Sequence, residues 1–495
     1  MAFQRPGVYV SEGAFTTTSS AGTNTVAAGF IAPALRGPTV ATNINSWTAY
    51  KALFGDISNE YDLGYAVYHF FANGGRSAYV SRVYATATAT AASVNVNGTI
   101  NGGSSTAVFK VSAANPGAWG NDLTVTTTAG LVTGNEPTFN LIVKLDGTEV
   151  ERWNEISLDL DDNRYLGTVV NTYSTYISVS EIDTYTSAFT VTAASNSALS
   201  AGSDGSALAN GDYESAINKF DQVTEELVLN VVNKTTAATV NFALAYAEAR
   251  GDCFVVIDPI SVTSGADAVS AISGYTASSY GAVYYPKLKM VDPSKTGASA
   301  IRDTAPGGAI MGLYSRVEAE RTVAKAPAGY AYDVRNAFGL VTSFTEAEQG
   351  TMYDAHVNTM KAIPGAGVII NGARTLKKTT VLKYVPTRRS LNYVKAQSKR
   401  LTDFAVFEPN NDRLWTNIQV RLSKFLAEFW SAGGLKGRNT AEAFYVLCDS
   451  TNNTTNTIEN GEVHVEVGVA LQTPAEFIVI EVSQFVGGSN LNETV

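Results

Sequence analysis

The sequence predicts a mixed α/β, multidomain chain: an α/β middle domain split by an inserted all-β domain, an α+β C-terminal domain, and extended arms at both ends. Three observations carry this. The chain has 495 residues, too many for one simple core, and its 45% hydrophobic and 16% charged residues are those of globular material. Helical and strand-like patterns alternate over 26–85 and again from 205, the order of an α/β layer. Between them, residues 86–204 turn abruptly to Thr, Ser, Ala, Asn and Gly with period-two alternation, the texture of β structure.

Residues 1–25 combine a Pro-Gly turn, a short "VYV" and a Ser/Thr/Gly stretch, with too little apolar content to fold alone, and read as an extended arm. Residues 26–85 form the first part of the middle domain. There "VAAGFIAPALRGP" opens as a buried strand, "SWTAYKALFGD" and "LGYAVYHFFANGG" are helical, and "AYVSRVYA" is a strand following the stop at Gly74 and Gly75. The insertion 86–204 holds twelve acidic and four basic residues, for a net −8. Within it Phe139, Leu141, Val143 and Leu145 share one face before Asp146-Gly147, a hairpin signal.

Residues 205–372 resume the middle domain. "DYESAINKF", "TVNFALAYAEAR", "CFVVIDP", "GADAVSAISGYTAS" and "GAVYYPKLKMVD" read as helix, helix, strand, helix and strand. In the C-terminal domain, 373–475, Asn410 or Asn411 can cap a long helix and Gly433 can end it. Leu414, Ile418, Leu422, Phe425, Leu426 and Phe429 recur at three-to-four spacing along it and form one apolar face. "GEVHVEVGVAL" alternates as a strand, and 476–495, with "EFIVIEV", is a terminal strand or arm. Such an end is a template for pairing with a neighbouring chain.

Catalytic signatures are sparse. His69, His356 and His464 have no His or Cys neighbour at metal-ligand spacing, and no G-x-x-x-x-G-K-[ST] is present, so neither a metal nor a nucleotide cofactor is expected. Asp258 ends the strand-like "FVVID", where an α/β enzyme would keep a carboxylate, but an Asp-Pro turn looks the same. The "RGD" at 250–252 joins a helix to that strand and reads as a chance tripeptide. Cys253 and Cys448 each sit in or at the end of an apolar run and read as buried thiols. No apolar run approaches the ~20 residues of a membrane span, and "MAFQRPGVYVSEG" lacks a signal-peptide core, which points to a cytoplasmic chain.

One segment departs from the acidic whole. Residues 374–400 carry nine Lys or Arg and no Asp or Glu in a chain of formal net charge −10. Nucleic-acid binding is a weak account of it, because Tyr384 and Tyr393 alone make no stacking platform.

The motifs "RPGVYVSE", "SWTAYKALFG", "AVYHFFANGGRSAYVSRV", "YYPKLKMVD", "KAPAG", "NGARTL", "FEPNNDRLWTNI", "FWSAGGLKGRNTAEAFYVLCD" and "TPAEFIVIEV" follow one another in the sequence. With them the chain resembles the contractile tail sheath proteins of long-tailed (myovirus-type) bacteriophages and phage-tail-like particles. The resemblance covers both ends and most of 205–495, but not 86–204, where the family carries a variable outer insertion. It implies a structural subunit rather than an enzyme, without cofactor, direct nucleic-acid contact or membrane insertion. Such subunits polymerise as stacked hexameric rings around a tail tube protein, meet baseplate and tail terminator proteins, and contract to drive the tube through the host envelope for genome delivery. The implied location is the virion, after assembly in the host cytoplasm; a bacteriocin-like or secretion sheath without a genome is the alternative.

The resemblance also implies roles for residues. Gly7, Val8, Tyr9, Val10 and Glu12, and Phe477, Ile478, Val479, Ile480 and Val482, would exchange strands with the inner, C-terminal domains of neighbouring subunits. Arg388, Arg389, Lys395, Lys399 and Arg400, with Lys436 and Arg438, would line the inner wall against an acidic tube. Pairing of these cations with acids of neighbouring sheath subunits is the other reading, since the rest of the chain carries −19.

Overall fold

The computed structural model describes residues 26–100, 105–132, 138–181, 189–191, 194–476, 483–486 and 489–492. The fold is mixed α/β. Its contacts divide it into a larger unit, residues 26–320 with 327–378, and a smaller one built on 321–326 and the chain from 379 onward.

The larger unit is organised on an eight-stranded sheet. Its order is Gly367–Ile370, Val357–Ile363, Gly281–Tyr285, Cys253–Ile257, Leu227–Val231, Ala27–Ala32, Ala78–Arg82 and Thr42–Ile44. The six inner strands run parallel and the two outer ones pair antiparallel. Ala27–Ala32, Leu227–Val231, Cys253–Ile257 and Gly281–Tyr285 are buried at every position, because helices cover both faces. On one face Ile217, Phe220, Val240, Leu244 and Met352 pack with Leu229, Val255 and Val283. Phe30, which alternation turns away from Ile31, meets Phe70 edge-on at 5.5 Å, so the Leu63–Ala72 helix lies on the other face.

That helix and Gly307–Glu320 approach within backbone distance. A Cβ on Gly308 would lie 2.1 Å from the Ala66 carbonyl oxygen, and one on Gly312 would lie 2.4 Å from that of Phe70. Glycine is required at both positions by space, not by backbone angle.

The insertion forms two antiparallel sheets of four strands. One runs Phe189–Val191, Ser93–Ile100, Ser105–Ala113, Ile177–Glu181; the other runs Ala194–Ala198, Leu123–Ala129, Phe139–Leu145, Thr148–Ile156. Val96, Phe109 and Val111 of the first share a core with Leu123, Leu141 and Val143 of the second. Asp146 (φ 49°) and Gly147 (φ 76°) make the two-residue turn that their sequence calls for. At the root of the insertion Arg82, 3% exposed, donates to the carbonyls of Ala34 (3.2 Å) and Pro116 (2.8 Å).

Two expected elements come out differently. "GAVYYPKLKMVD" is two strands: Gly281–Tyr285 stays in the large sheet, while Leu288–Val291 joins Ile301–Thr304 and Ala337–Leu340 in a separate one. Pro286, after a cis bond, lies between them and has no N–H for a ladder. The helix expected over "GADAVSAISGYTAS" covers only Gly265–Ala271.

In the smaller unit the Asp412–Ser431 helix begins where Asn411 Oδ1 accepts the N–H groups of Arg413 and Leu414, both at 3.1 Å. Leu414, Ile418, Leu422, Phe425, Leu426 and Phe429 are all buried. They pack with Leu391, Tyr393 and Val394 of the Val385–Thr402 helix and with Val446 and Val469 of the strands Phe444–Leu447 and Glu466–Val469.

Two stability predictions follow from this packing. Gly308→Ala forces a methyl into the Ala66 carbonyl and is expected to cost at least about 2 kcal/mol in denaturant unfolding, with the Gly211→Ala control near neutral. His69 is buried, and burial pushes its imidazole down to about 4 against the opposing influence of Val291 and Asp292. Because the folded-state value lies below the unfolded one, this stability is complete above about pH 6.5 and declines as the pH falls toward 4. His69→Phe should flatten that part of a melting-temperature profile recorded from pH 7 to 4.

Candidate functional site

The basic segment becomes the Val385–Thr402 helix, with Pro386 in its first turn, where a missing N–H is harmless. Val385 to Val394 are buried without interruption. Arg388 and Arg389 therefore lie inside the unit, 0% and 3% exposed, and Arg388 Nε donates to Asn392 Oδ1 at 2.9 Å. Neither stands on the open face of the helix, contrary to the expectation that both line an inner wall.

The other expected cations are placed differently. Lys395 is half-buried, while Lys399 and Arg400 are exposed in the last turn, where the helix dipole favours positive charge. Lys436 and Arg438 are exposed in the turn after the long helix, where the Lys436 N–H donates to the Ala470 carbonyl at 3.0 Å. The long helix adds cations that the sequence reading passed over: Arg413, Arg421 and Lys424 are exposed opposite its apolar face. Their signal was the polar half of the same 3.6-residue period. Arg421 sits over the Phe404 ring at 3.8 Å, and Lys424 reaches Glu428 at 4.0 Å.

Next to these helices lies a sheet that, among the described residues, has only the strands Phe444–Leu447 and Glu466–Val469. Leu435 bridges Leu471 beyond them. The residues expected to exchange strands, Gly7, Val8, Tyr9, Val10, Glu12, Phe477, Ile478, Val479, Ile480 and Val482, lie outside the described residues.

The features that could have carried enzyme chemistry are tied up structurally. Asp258, 1% exposed, accepts Asn230 Nδ2 (3.0 Å) and the Asn233 N–H (2.9 Å) on one oxygen and the Gly307 N–H (2.8 Å) on the other. It anchors the first turn of the Gly307–Glu320 helix. Burial pushes its carboxyl up, against those three donors. Arg250 of the "RGD" donates to the carbonyls of Phe220, Val223 and Glu225, which fastens the tripeptide to the chain. Cys253 and Cys448 are buried free thiols. Among the described residues no three His, Cys, Asp or Glu are grouped to hold a metal ion, and no helix is long and apolar enough to cross a membrane.

This chain shares its fold with solved sheath proteins. The sheath tail protein Lin1278 from Listeria innocua superposes with a TM-score of 0.62 at 12% identity, over 90% of this chain and 96% of that one. The sheath complex of an extracellular contractile injection system, PVC, in its contracted state superposes at 0.58 with 22% identity, over 98% of both chains. Residues 377–485 match the phage tail sheath C-terminal domain family. The tail sheath protein of Enterobacteria phage T4 is 24% identical over 253 residues, which are 46% of this chain. The match spans 36% of the T4 protein's length. These matches uphold the resemblance to contractile tail sheath proteins read from the motifs.

Burial separates the cations into two groups with different expected behaviour. Arg388→Glu should destabilise the chain by at least about 3 kcal/mol, because it places an uncompensated charge in the interior. Lys399→Glu with Arg400→Glu should shift stability by no more than about 1 kcal/mol. Thermal melts of the two variants check both.

Proposed function

We propose that the chain is the sheath subunit of a contractile phage tail or phage-tail-like injection particle. It polymerises with itself as stacked hexameric rings around a tail tube, is bounded by baseplate and tail terminator proteins, and contracts to drive the tube through the host envelope. The observation that carries this reading is the two-stranded sheet Phe444–Leu447/Glu466–Val469, which falls inside the segment 377–485 that matches the sheath family. Its outer edges are templates for added strands. The arm 1–25, through Gly7 to Glu12, and the terminal segment 476–495, through Phe477 to Val482, supply them from neighbouring copies. A strand addition of four or five backbone hydrogen bonds, at a net ~0.5–1.5 kcal/mol each, holds a joint while the bodies around it rotate.

In this reading residues 373–475 form the inner domain, 26–85 with 205–372 the middle domain, and 86–204 the outer one. Lys395, Lys399, Arg400, Lys436 and Arg438 face an acidic tube exterior. Exposed ion pairs are worth only ~0–1 kcal/mol each and are screened over ~10 Å, which suits a contact that aligns subunits and then releases. Genome delivery belongs to the phage setting. The injection-system sheath, alike over 98% of both chains, supports a genome-free particle as the second setting, and DNA content of the purified particle separates the two.

Negative-stain electron microscopy of the purified chain tests the mechanism. The intact chain at high concentration should form striated hollow tubes, and a chain lacking residues 1–25 should not. Compact particles from both would overturn strand exchange as the joint.

A further inference from the structure

In the smaller unit only two described non-glycine residues, Thr380 and Phe407, have left-handed backbone angles, with φ of 90° and 69°. A β-branched and an aromatic side chain are the residue types least suited to that region. Each marks an exposed apolar side chain. Phe407 itself is 89% exposed, and Val381, next to Thr380, is 54% exposed. The two positions lie at opposite ends of the 18-residue Val385–Thr402 helix, which is about 27 Å long. Exposed Glu408 adjoins Phe407, and Lys383 lies two residues beyond Val381.

Local strain persists where surrounding structure or function requires it. Here neither apolar side chain packs on the chain's own core, since neither is in the cluster that fills this unit. The two patches are complementary, apolar with acid at one end and apolar with base at the other, and they are far apart on one body. A surface of this kind cannot satisfy itself within one chain, and across copies it generates a head-to-tail series.

We propose that Phe407 with Glu408 of one copy docks on Val381 with Lys383 of the next, a side-chain contact between successive subunits separate from strand exchange. The occupant of each patch is a second copy of this chain. The proposal rests on the sheath reading for its biological setting but not for its chemistry. Thr380 Oγ1 accepts the Leu382 N–H at 3.3 Å, which holds the short turn that presents Val381.

The test is disulfide trapping with the full chain, in which Cys253 and Cys448 are buried and unavailable. Phe407→Cys and Val381→Cys variants are purified separately, mixed and oxidised. The mixture should give a covalent dimer at least about tenfold more abundant than either variant alone, and the Phe407→Cys plus Val420→Cys mixture should not, although Val420 is 61% exposed. Phe407→Gly should melt at the same temperature as the parent or higher, since glycine adopts a positive φ freely, yet compete poorly with the parent for the trap. Tubes without the trapped pair overturn this contact and leave the sheath reading standing. A trapped pair without tubes does the reverse. Equal trapping through Val420 would show collision rather than docking and overturn it too.

Discussion

Every strand left at the edge of a sheet exposes a ladder of N–H and C=O groups that must be closed, hidden or used. The larger unit shortens, caps or charges several of them. Its eight-stranded sheet ends in strands of only three and four residues, Thr42–Ile44 and Gly367–Ile370. In the insertion the edge strand Ile177–Glu181 is capped by a side chain: Asn171 donates to the Val179 carbonyl at 2.9 Å and accepts the Val179 N–H at 2.8 Å, which are the bonds an added strand would make. In the insertion's second sheet the edge strand Thr148–Ile156 carries Glu149, Glu151 and Arg152. In the smaller unit the strands Phe444–Leu447 and Glu466–Val469 stand as a two-stranded sheet among the described residues, inside the segment where the family match lies.

Rigidity follows from the same accounting. Arg82, at the end of an inner strand, closes carbonyls on both sides of the point where the insertion leaves the middle domain. Asp212 accepts the Thr86 N–H at 3.0 Å, and the Thr90 N–H donates to the Ser203 carbonyl at 2.9 Å, so both stems of the insertion are pinned at its base. Gly308 and Gly312 act in the larger unit, letting two helix backbones touch where a side chain would separate them.

Most of the architecture was legible because its signals are local. The Asp412–Ser431 helix shows its cap and its buried face in the order of its residues, and Asp146-Gly147 states its own turn. Leu227–Val231 was passed over because a five-residue strand buried on both faces has no alternation to read. The segment after Gly281 reads as one strand because the apolar run continues past Pro286, whose missing N–H interrupts the ladder between the two sheets. Charge was legible as a sum but not as a surface. Counting treats every Arg as solvated, and Arg388 instead lies wholly inside with Asn392 as a partner, while Arg413, Arg421 and Lys424 are spaced too widely to register as a run.

The two strained positions of the smaller unit fit the same physical picture from the energetic side. Non-glycine residues in sparsely populated backbone regions cost on the order of 1–3 kcal/mol each, against a total stability of ~5–15 kcal/mol for a domain. A free chain gains nothing from exposing Phe407 at such a cost. If burial against a second copy returns the transfer energy of an aromatic side chain, ~1.5–3 kcal/mol, the strain is offset only on assembly. The lone subunit is then disfavoured relative to a copy docked in this way, and the difference sits in two short turns at the ends of one helix rather than in the core of the unit.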